Sequence, residues 1–243
     1  MLNSAVVLAG GFATRLVPLS KELPKALFLV QGEPLLDHCI TTLTAGGIST
    51  VLVMVHHLGE QIAAYVSKRR YPGVNVHCYM EDAPCGTGGA LRDAIEMLEE
   101  RLKLNSPAYV VCNVDNLLDA DLKKAHLAHT TSGGLATVLG KRVPDVSQYG
   151  TIVRDPASPQ VLAFAEKSGK QEPGYISSGW YIFSKGVLGL LPKEPQKYSL
   201  ETQLFPMLAA KGQLFTFDCG DTPWFSVNDF KEYGDAIEKW KRA

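Results

Sequence analysis

The first thirty residues bring together the side chains best suited to bind phosphate. Gly10 and Gly11 directly follow an apolar run and would let backbone N–H groups approach a phosphate closely. Thr14 adds a hydroxyl, and Arg15 and Lys25 add two cations within a short loop. Each part alone is common, because a Gly-Gly after a strand is often a plain turn and a single Arg or Lys is usually solvated. The combination predicts a loop that binds a polyphosphate.

The spacing of these residues excludes two common phosphate loops. A P-loop closes on Gly-Lys-Ser/Thr, and the dinucleotide fingerprint has three spaced glycines that lead directly into a helix; residues 10–25 have neither pattern. The apolar, β-branched run at residues 5–8 reads as a buried parallel strand. Open α/β sheets bind ligands at the carboxyl ends of their strands, so we expect the loop to lie at that edge.

Two later segments add candidates of the same kind. Asp115 follows a buried strand predicted at residues 108–112, and Mg²⁺ prefers one or two carboxylates together with substrate phosphate oxygens. Residues 81–91 form a glycine-rich turn that leads into a helix, where small residues can contact a base or ribose without obstruction. An aspartate at a strand end is also a common helix cap, and such a turn can simply begin a helix.

These segments resemble the motifs of the sugar-1-phosphate nucleotidyltransferases. The family signature, roughly Leu-Ala-Gly-Gly-x-Gly-Thr-Arg-Leu-x-Pro-Leu-(Ser/Thr) followed by Pro-Lys, stands here as residues 8–20 and 24–25, with Ala13 in place of a glycine. Residues 81–90 match the family's (Gln/Glu)-x-x-Pro-x-Gly-Thr-(Ala/Gly)-Gly-Ala motif, whose first residue reads the base edge. The nucleotide contacts that the resemblance implies are Leu8, Ala9, Gly10, Gly11, Thr14, Glu81, Gly86, Thr87 and Gly88.

The resemblance also implies a catalytic set. Arg15 would hold the leaving pyrophosphate, Lys25 the α-phosphate and Asp115 the Mg²⁺. Asp115 matches the aspartate of the family's Asn-Gly-Asp segment, although Val114 replaces the usual glycine.

The second half of the chain contains the family's sugar-side motifs. One is a Tyr-Gly followed by Glu-Lys, in which the glutamate accepts from sugar hydroxyls and the lysine meets the sugar phosphate. Another is Asn-(Ser/Ala)-Gly-x-Tyr-x-Phe, matched at residues 177–183 with Ser177 in place of the asparagine. The implied sugar-phosphate contacts are Tyr149, Gly150, Glu166, Lys167, Ser178 and Gly179.

The second metal ligand is the main departure from the family pattern. The aspartate of the family's Trp/Phe-x-Asp-x-Gly-Thr-Pro motif is replaced here by Ser226. Asn228 lies two residues further, on the same side of an extended strand, and offers an amide oxygen. Asp229 is another candidate, and Asn228 could instead cap the last helix. The predicted metal ligands are therefore Asp115 and Asn228.

The apolar pattern predicts the elements that position these residues. Strands at residues 50–55, 74–79 and 108–112 alternate with helices at residues 34–43, 59–68 and 90–101, as in a parallel doubly wound sheet. From residue 135, short strands joined by Pro and Asp turns predict a partly antiparallel subregion that binds the sugar. We predict an α/β fold with a Rossmann-like mixed sheet and helices on both faces. Residues 1–243 would form one domain, with a nucleotide-binding half at 1–134 and a sugar-binding half at 135–243.

Composition limits the partners. The chain has 243 residues, 46% of them hydrophobic, and a net charge of −1, so it has no basic field that would favour nucleic acid or an anionic membrane. Its five cysteines lack CxxC spacing, and the sequence contains no secretory signal or membrane-spanning run. The adjacent His56 and His57 have no third ligand at recognisable spacing, which argues against zinc. We expect a cytoplasmic monomer or small homo-oligomer.

The implied reaction joins an NTP to a sugar 1-phosphate and gives an NDP-sugar and pyrophosphate, with Mg²⁺ as cofactor. The nucleophile is already an anionic phosphate oxygen, so the task is to bring two anions together and stabilise charge during in-line displacement. The short chain and its Tyr-Gly-Thr-Ile stretch resemble the heptose, mannose and glucose 1-phosphate members of the family, and this resemblance favours GTP or CTP with a heptose or hexose 1-phosphate. Two alternatives stay open: a non-catalytic nucleotide- or sugar-binding relative, suggested by Ser226, and a glycosyltransferase, in which the glycine loop with Arg15 would have no role.

Overall fold

The computed structural model describes residues 2–167, 169, 171–194 and 196–241. Its strands are β1 (Ser4–Leu8), β2 (Leu29–Val30), β3 (Glu33–Pro34), β4 (Thr50–Val55), β5 (Asn75–Met80), β6 (Ala108–Asn113), β7 (Asn116–Leu118), β8 (Ala136–Val143), β9 (Thr151–Arg154), β10 (Val161–Ala165), β11 (Gly174–Ser184), β12 (Leu214–Asp218) and β13 (Trp224–Ser226).

The α-helices are α1 (Leu19–Glu22), α2 (Leu35–Ala45), α3 (Gly59–Lys68), α4 (Gly86–Glu96), α5 (Leu122–Ser132), α6 (Phe205–Ala210) and α7 (Phe230–Lys239). Short 3₁₀ segments cover Thr14–Leu16, Lys25–Leu27 and Lys185–Leu190, and π-helical turns cover Met97–Arg101 and Leu200–Leu204.

The main sheet combines a parallel half with an antiparallel half. Its strand order is β10–β9–β11–β6–β1–β4–β5, with β8 paired to both β11 and β12. Strands β6, β1, β4 and β5 run parallel, whereas β11 runs antiparallel to β6, β8 and β9. The predicted mixed, doubly wound sheet is confirmed.

Two apolar cores lie on opposite faces of this sheet. Along β1, Ala5 and Val7 pack with residues of α2, α3 and α5, while Val6 packs with residues of α4 and α6. Side chains alternate between the faces of a strand, so a strand covered by helices on both sides has few polar positions. This explains the unbroken apolar runs at residues 5–8 and 51–55, and it confirms the prediction of helices on both faces.

A third apolar cluster fixes α7 against the loop that follows β1. Ala236 of α7 and Trp240, the residue directly after the helix, pack with Leu16 and Phe28. Asp229 caps the helix, since its Oδ1 accepts a 2.9 Å hydrogen bond from the N–H of Glu232. The segment before α7 is thereby held beside the predicted phosphate loop.

A few boundaries differ from the predictions. The strand expected at residues 74–79 runs one residue later, and the helix expected at residues 90–101 begins four residues earlier, at Gly86, and ends in a π-helical turn. Strands β13 and β7 form a separate antiparallel pair that the sequence did not predict. In the part of the chain that the structure describes, no helix is both long and apolar enough to cross a membrane.

Candidate functional site

A cavity of about 440 Å³ opens at the carboxyl ends of β1 and β6. It contains most of the predicted nucleotide, catalytic and metal residues: Leu8, Ala9, Gly10, Gly11, Thr14, Arg15, Lys25, Glu81, Gly86, Thr87, Asp115 and Asn228. It is also lined by residues that the sequence did not single out, namely Phe12, Ala13, Pro84, Ala90, Asn113 and Val114.

The first loop approaches the Glu81 carboxyl closely at Gly10. A Cβ on Gly10 would lie 2.7 Å from Glu81 Oε2 and 3.3 Å from the Cβ of His56. The glycine therefore brings the loop backbone and the Glu81 carboxyl to the same side of the cavity.

Ala13 adopts a left-handed conformation, with φ 48° and ψ 45°. Its carbonyl accepts a 2.9 Å hydrogen bond from the N–H of Leu16, which closes the 3₁₀ turn containing Arg15. Residues with a Cβ are disfavoured in this conformation and glycine is not, which explains why glycine suits this loop position.

At one end of the cavity, Lys25, Asp115 and Asn228 converge. Lys25 Nζ donates to Asp115 Oδ2 at 2.6 Å and lies 3.5 Å from Asn228 Oδ1. The other carboxylate oxygen, Asp115 Oδ1, accepts a 2.7 Å hydrogen bond from Asn116 Nδ2. The Lys25 and Asp115 side chains are only 11% and 23% exposed, so solvent screens this pair weakly. We call this the phosphate end of the cavity.

The donor set at the phosphate end fits a magnesium ion. The carboxylate oxygen of Asp115 and the amide oxygen of Asn228 both face the Lys25 ammonium, so they already converge on a cation. Hard oxygen ligands of this kind suit Mg²⁺, which keeps water and substrate phosphates as its other ligands. Among the described residues there is no group of three or more His, Cys, Asp or Glu that could hold a metal ion. Phosphate oxygens and water would therefore have to complete the coordination.

The backbone before α7 determines where the Asn228 amide lies. Asp229 is the residue that caps α7, which leaves the Asn228 side chain facing the cavity. The N–H of Asn228 donates to Glu232 Oε2 at 2.7 Å. Ser226, at the position of the family aspartate, is 4% exposed and pairs in register with Asn116 of β7.

At the other end of the cavity, which we call the base end, Glu81 is buried, and little in its surroundings offsets the cost of removing its charge from water. The residue is 8% exposed, and its carboxyl forms no ion pair with any residue that the structure describes. Burial raises the pKa of Glu81 to about 7; the nearby His56 acts against this rise and Asp93 adds to it. His56 Nδ1 donates to the backbone carbonyl of Glu81 at 3.1 Å.

The glycine-rich turn at the start of α4 packs against the segment before α6. The N–H of Gly88 donates to the Tyr198 carbonyl at 2.9 Å, and a Cβ on Gly88 would lie 2.5 Å from Tyr198 Cδ1. Thr87 Oγ1 donates to Glu201 Oε2 at 2.7 Å and accepts from the N–H of Leu200 at 2.9 Å. Gly88 is thus placed behind the cavity wall, while Gly86 and Thr87 line it.

The predicted sugar-side residues form their own group, outside the residues that line the cavity. Tyr149 packs against Trp224 with ring centroids 5.3 Å apart, and its hydroxyl donates to Glu232 at 3.1 Å. Burial and the nearby Glu201 raise the pKa of Glu166, whereas Lys167 lowers it. Lys167 Nζ lies 3.6 Å from Glu166 Oε1, and its side chain is 55% exposed.

The remaining sugar-side residues, Ser178 and Gly179, lie in β11 behind Asp115. A Cβ on Gly179 would lie 2.5 Å from Nδ2 of Asn116, the residue that hydrogen-bonds Asp115. The Ser178 carbonyl accepts a 2.9 Å hydrogen bond from Trp224 Nε1, and its buried hydroxyl has no hydrogen-bond partner within the described ranges.

The adjacent histidines serve separate purposes. His57 Nε2 lies 3.1 Å from the Ser20 carbonyl, while His56 contacts the carbonyl of Glu81. The Phe12 ring packs on both imidazoles, with centroids 5.8 Å from His56 and 5.2 Å from His57. The two side chains connect the first loop to neighbouring backbone.

Comparisons with known proteins show what the whole chain is similar to. A family model described as nucleotidyl transferase matches residues 4–242. The mannose-1-phosphate guanyltransferase of Candida albicans is 31% identical over 230 residues, which cover 94% of this chain and 62% of that protein. The Saccharomyces cerevisiae protein of the same name is 32% identical with the same coverage. This chain therefore spans about 62% of the length of these curated relatives.

Solved structures show a similar fold over the whole chain. The crystal structure of HddC from Yersinia pseudotuberculosis has a TM-score of 0.83 at 27% identity and covers 99% of this chain and 100% of HddC. The structure of HddC complexed with GMP-PN has a TM-score of 0.81 at the same identity and coverage.

Proposed function

Because the chain belongs to the nucleotidyl transferase family, we propose that it transfers a guanylyl group from GTP to a sugar 1-phosphate, giving a GDP-sugar and pyrophosphate. The observation that carries this proposal is the convergence of Lys25, Asp115 and Asn228 beside the glycine loop. A phosphate chain placed there would meet backbone N–H groups, two cations and a metal-binding pair of oxygens.

The side chains at the site would promote the reaction mainly by stabilising negative charge. The attacking sugar phosphate is already anionic, so no residue needs to remove a proton from it. Arg15 would bind the departing pyrophosphate, and Lys25 would exchange its contact with Asp115 for one with the α-phosphate. Pre-positioned charges of this kind act where negative charge develops in the transition state. A Mg²⁺ ion held by Asp115 and Asn228 would supply further positive charge against the reacting phosphate oxygens.

Glu81 supports guanine as the base. A carboxylate offers two adjacent acceptors, and guanine presents two adjacent donors, N1–H and the N2 amino group. Adenine and cytosine place an acceptor beside their amino group, and uracil and thymine flank their single N–H with carbonyls, so each would set an acceptor against Glu81. The relatives named as guanyltransferases, and HddC complexed with GMP-PN, agree with this choice.

The second substrate would bind between the phosphate end and the sugar-side group. Tyr149, Gly150 and Glu166 would contact the sugar, and Lys167 would turn from Glu166 to the sugar phosphate. Ser178 and Gly179 would form the surface behind Asp115. We favour a hexose or heptose 1-phosphate, with mannose 1-phosphate the first to test because the curated relatives are named for it. The five free cysteines agree with a reducing cytoplasm as the place of action.

A pyrophosphate-release screen tests the proposal directly. GTP, ATP, CTP, UTP and dTTP are each combined with mannose, glucose and heptose 1-phosphates in the presence of Mg²⁺, with Asp115→Ala as the inactive control. We expect release with GTP and at least one sugar 1-phosphate. Thermal stabilisation by GTP without release in any combination would favour a binding protein, and sugar transfer from an NDP-sugar to an acceptor would favour a glycosyltransferase.

A further inference from the structure

Glu232, in the first turn of α7, connects the two substrate regions of the site. Its Oε1 accepts a 3.1 Å hydrogen bond from the Tyr149 hydroxyl, and its Oε2 accepts a 2.7 Å hydrogen bond from the N–H of Asn228. Tyr149 belongs to the sugar-side group and Asn228 to the phosphate end. The two oxygens of one carboxylate are thus bound to donors from two segments that are distant in sequence.

The helix start holds Glu232 in place. Its own N–H donates to Asp229 Oδ1 at 2.9 Å, as in a capping box, while its carboxylate accepts from the N–H of Asn228, one residue before the N-cap. A negative charge in the first turn also interacts favourably with the helix dipole. The carboxylate therefore has little freedom to change partners.

Both contacts of Glu232 affect groups at the reaction centre. The Asn228 backbone fixes the amide whose Oδ1 lies 3.5 Å from Lys25 Nζ, in the group that contains Asp115. The Tyr149 ring packs on Trp224, and Trp224 Nε1 donates to the Ser178 carbonyl behind Asp115. Loss of the carboxylate would release the cation-side amide and the sugar-side ring together.

We propose that Glu232 is the positioning residue that couples sugar binding to metal binding in this site. This inference rests on the proposed function. It differs from a contact with substrate, because both carboxylate oxygens of Glu232 already accept hydrogen bonds from the Tyr149 hydroxyl and the Asn228 N–H, through which it acts. The amide of Asn228 would be poorly ordered without it, which matters because position 226 is a buried serine and offers no carboxylate.

The test measures two constants on one set of variants. Mn²⁺ binding is followed by EPR in the presence of a non-hydrolysable GTP analogue, and KM for the sugar 1-phosphate is measured by pyrophosphate release. Groups that orient metal ligands typically contribute roughly 10- to 100-fold to metal affinity. We expect Glu232→Ala to raise both the Mn²⁺ Kd and the sugar 1-phosphate KM about tenfold or more, while metal-free binding of the GTP analogue stays within about twofold.

Single-contact variants separate the two connections. Tyr149→Phe should raise only the sugar KM, and Asn228→Ala should raise only the Mn²⁺ Kd. Glu232→Gln keeps an acceptor for the Asn228 N–H and an amide group that can donate to the Tyr149 oxygen, so it should restore both constants to near wild type. Asp235→Ala, which removes an exposed partner of Lys239 on the same helix, is the matched control and should change neither constant.

Several results would overturn the coupling. If Glu232→Ala leaves both the Mn²⁺ Kd and the sugar 1-phosphate KM unchanged, Glu232 only stabilises the start of α7. The same conclusion would follow if affinity for the GTP analogue fell as much as the other two. If Glu232→Ala does not fold, Glu232→Asp keeps the charge but is too short to reach both donors, and it must give the same paired increase. The Mn²⁺ Kd and a sugar 1-phosphate Kd from isothermal titration need no turnover. A wild-type protein that makes no GDP-sugar would therefore contradict the proposed function, and the paired comparison would still be made with these two binding constants.

Discussion

The two ends of the cavity hold their carboxylates in opposite ways. At the phosphate end, Asp115 accepts from Lys25 at 2.6 Å and from Asn116 at 2.7 Å. At the base end, Glu81 is more deeply buried but forms no ion pair within the described part of the chain, and burial raises its pKa to about 7. One carboxylate is stabilised before any ligand arrives, and the other acquires its donors only from a ligand.

This difference matches the tasks that we propose for the two ends. The transfer step needs charged groups that are already in position, because moving them during the reaction would raise the activation barrier. A buried acceptor increases selectivity for the one base that donates hydrogen bonds to it, because any other base leaves that buried group unpaired. The phosphate end would therefore provide rate, and the base end would provide discrimination between nucleotides.

The largest expected effect comes from removing the cation of the phosphate end. Lys25→Ala should lower turnover by roughly 10²- to 10³-fold, the scale seen when one electrostatic stabiliser is lost. Pyrophosphate release at saturating substrates measures this. Lys21→Ala, an exposed lysine in the same loop region, is the control and should stay near wild type. A turnover within about threefold of wild type would exclude Lys25 from the mechanism.

The next effect concerns selectivity at the base end. Glu81→Gln replaces one acceptor by a donor, so guanine keeps one of its two contacts. A good paired contact to a base contributes about 1–3 kcal/mol of discrimination, so the preference for GTP over ATP in kcat/KM should fall by roughly 10- to 100-fold. The turnover number with saturating GTP should change much less than in Lys25→Ala. An unaltered preference would place the base elsewhere.

The two carboxylates should also respond oppositely when their charge is removed. Above pH 7 the folded protein must keep a buried Glu81 carboxylate, whereas the unfolded chain releases the proton near 4.5. Glu81→Gln should therefore raise the free energy of unfolding by roughly 1–3 kcal/mol at pH 8, and by progressively less as pH falls from 7 to 4.5. Asp115→Asn should lower it by about 1–3 kcal/mol, because Lys25 loses its ion partner. Denaturant titrations of both variants give the comparison, and equal signs would contradict it.

Affinity for GTP should depend on pH through the same group. With the pKa of Glu81 at about 7, the carboxyl is mostly protonated at pH 6 and then offers fewer acceptors to guanine. We expect the GTP Kd to rise about tenfold from pH 8 to pH 6, with most of the change below pH 7. The triphosphate titrates in this range too, so Glu81→Gln serves as the control. A pH profile shared by both proteins would assign the change to the nucleotide.

Contiguous motifs explain why the sequence predicted so much of the cavity. The loop from Gly10 to Lys25 and the residues around Asp115 follow consecutive or neighbouring strands of a parallel sheet, so their meeting at one edge follows from the alternation of strands and helices. Asn228 was predicted as a metal ligand together with Asp115, and the structure brings its Oδ1 to 3.5 Å from Lys25 Nζ, which also donates to Asp115. The functional roles of all these residues stay predictions.

Other features depend on packing that no local pattern encodes. The contact between Glu232 and Tyr149 joins residues 83 positions apart in sequence, and the raised pKa of Glu81 comes from its burial in the folded protein. The Gly88 N–H likewise donates to the carbonyl of Tyr198, which lies over a hundred residues later in the sequence. A capping pattern at residues 229–232 was the available signal for Glu232, and it indicates a helix start without indicating what else the carboxylate binds.

The smallest predicted effect lies in the loop of the phosphate end. Ala13 has φ 48°, and for a residue with a Cβ this conformation costs about 1–2 kcal/mol, of which the greater chain entropy of glycine would cancel roughly 0.4–1 kcal/mol. Ala13→Gly should therefore raise the free energy of unfolding by about 0.5–1 kcal/mol, or Tm by roughly 1–4 °C. Ala128→Gly within α5 is the matched control and should lower stability by about 0.5–1 kcal/mol. The same substitution would then have opposite signs at the two positions. Equal destabilisation would mean that the loop relaxes from the left-handed conformation in solution, and the fixed charges of the phosphate end would then require a bound ligand to order them.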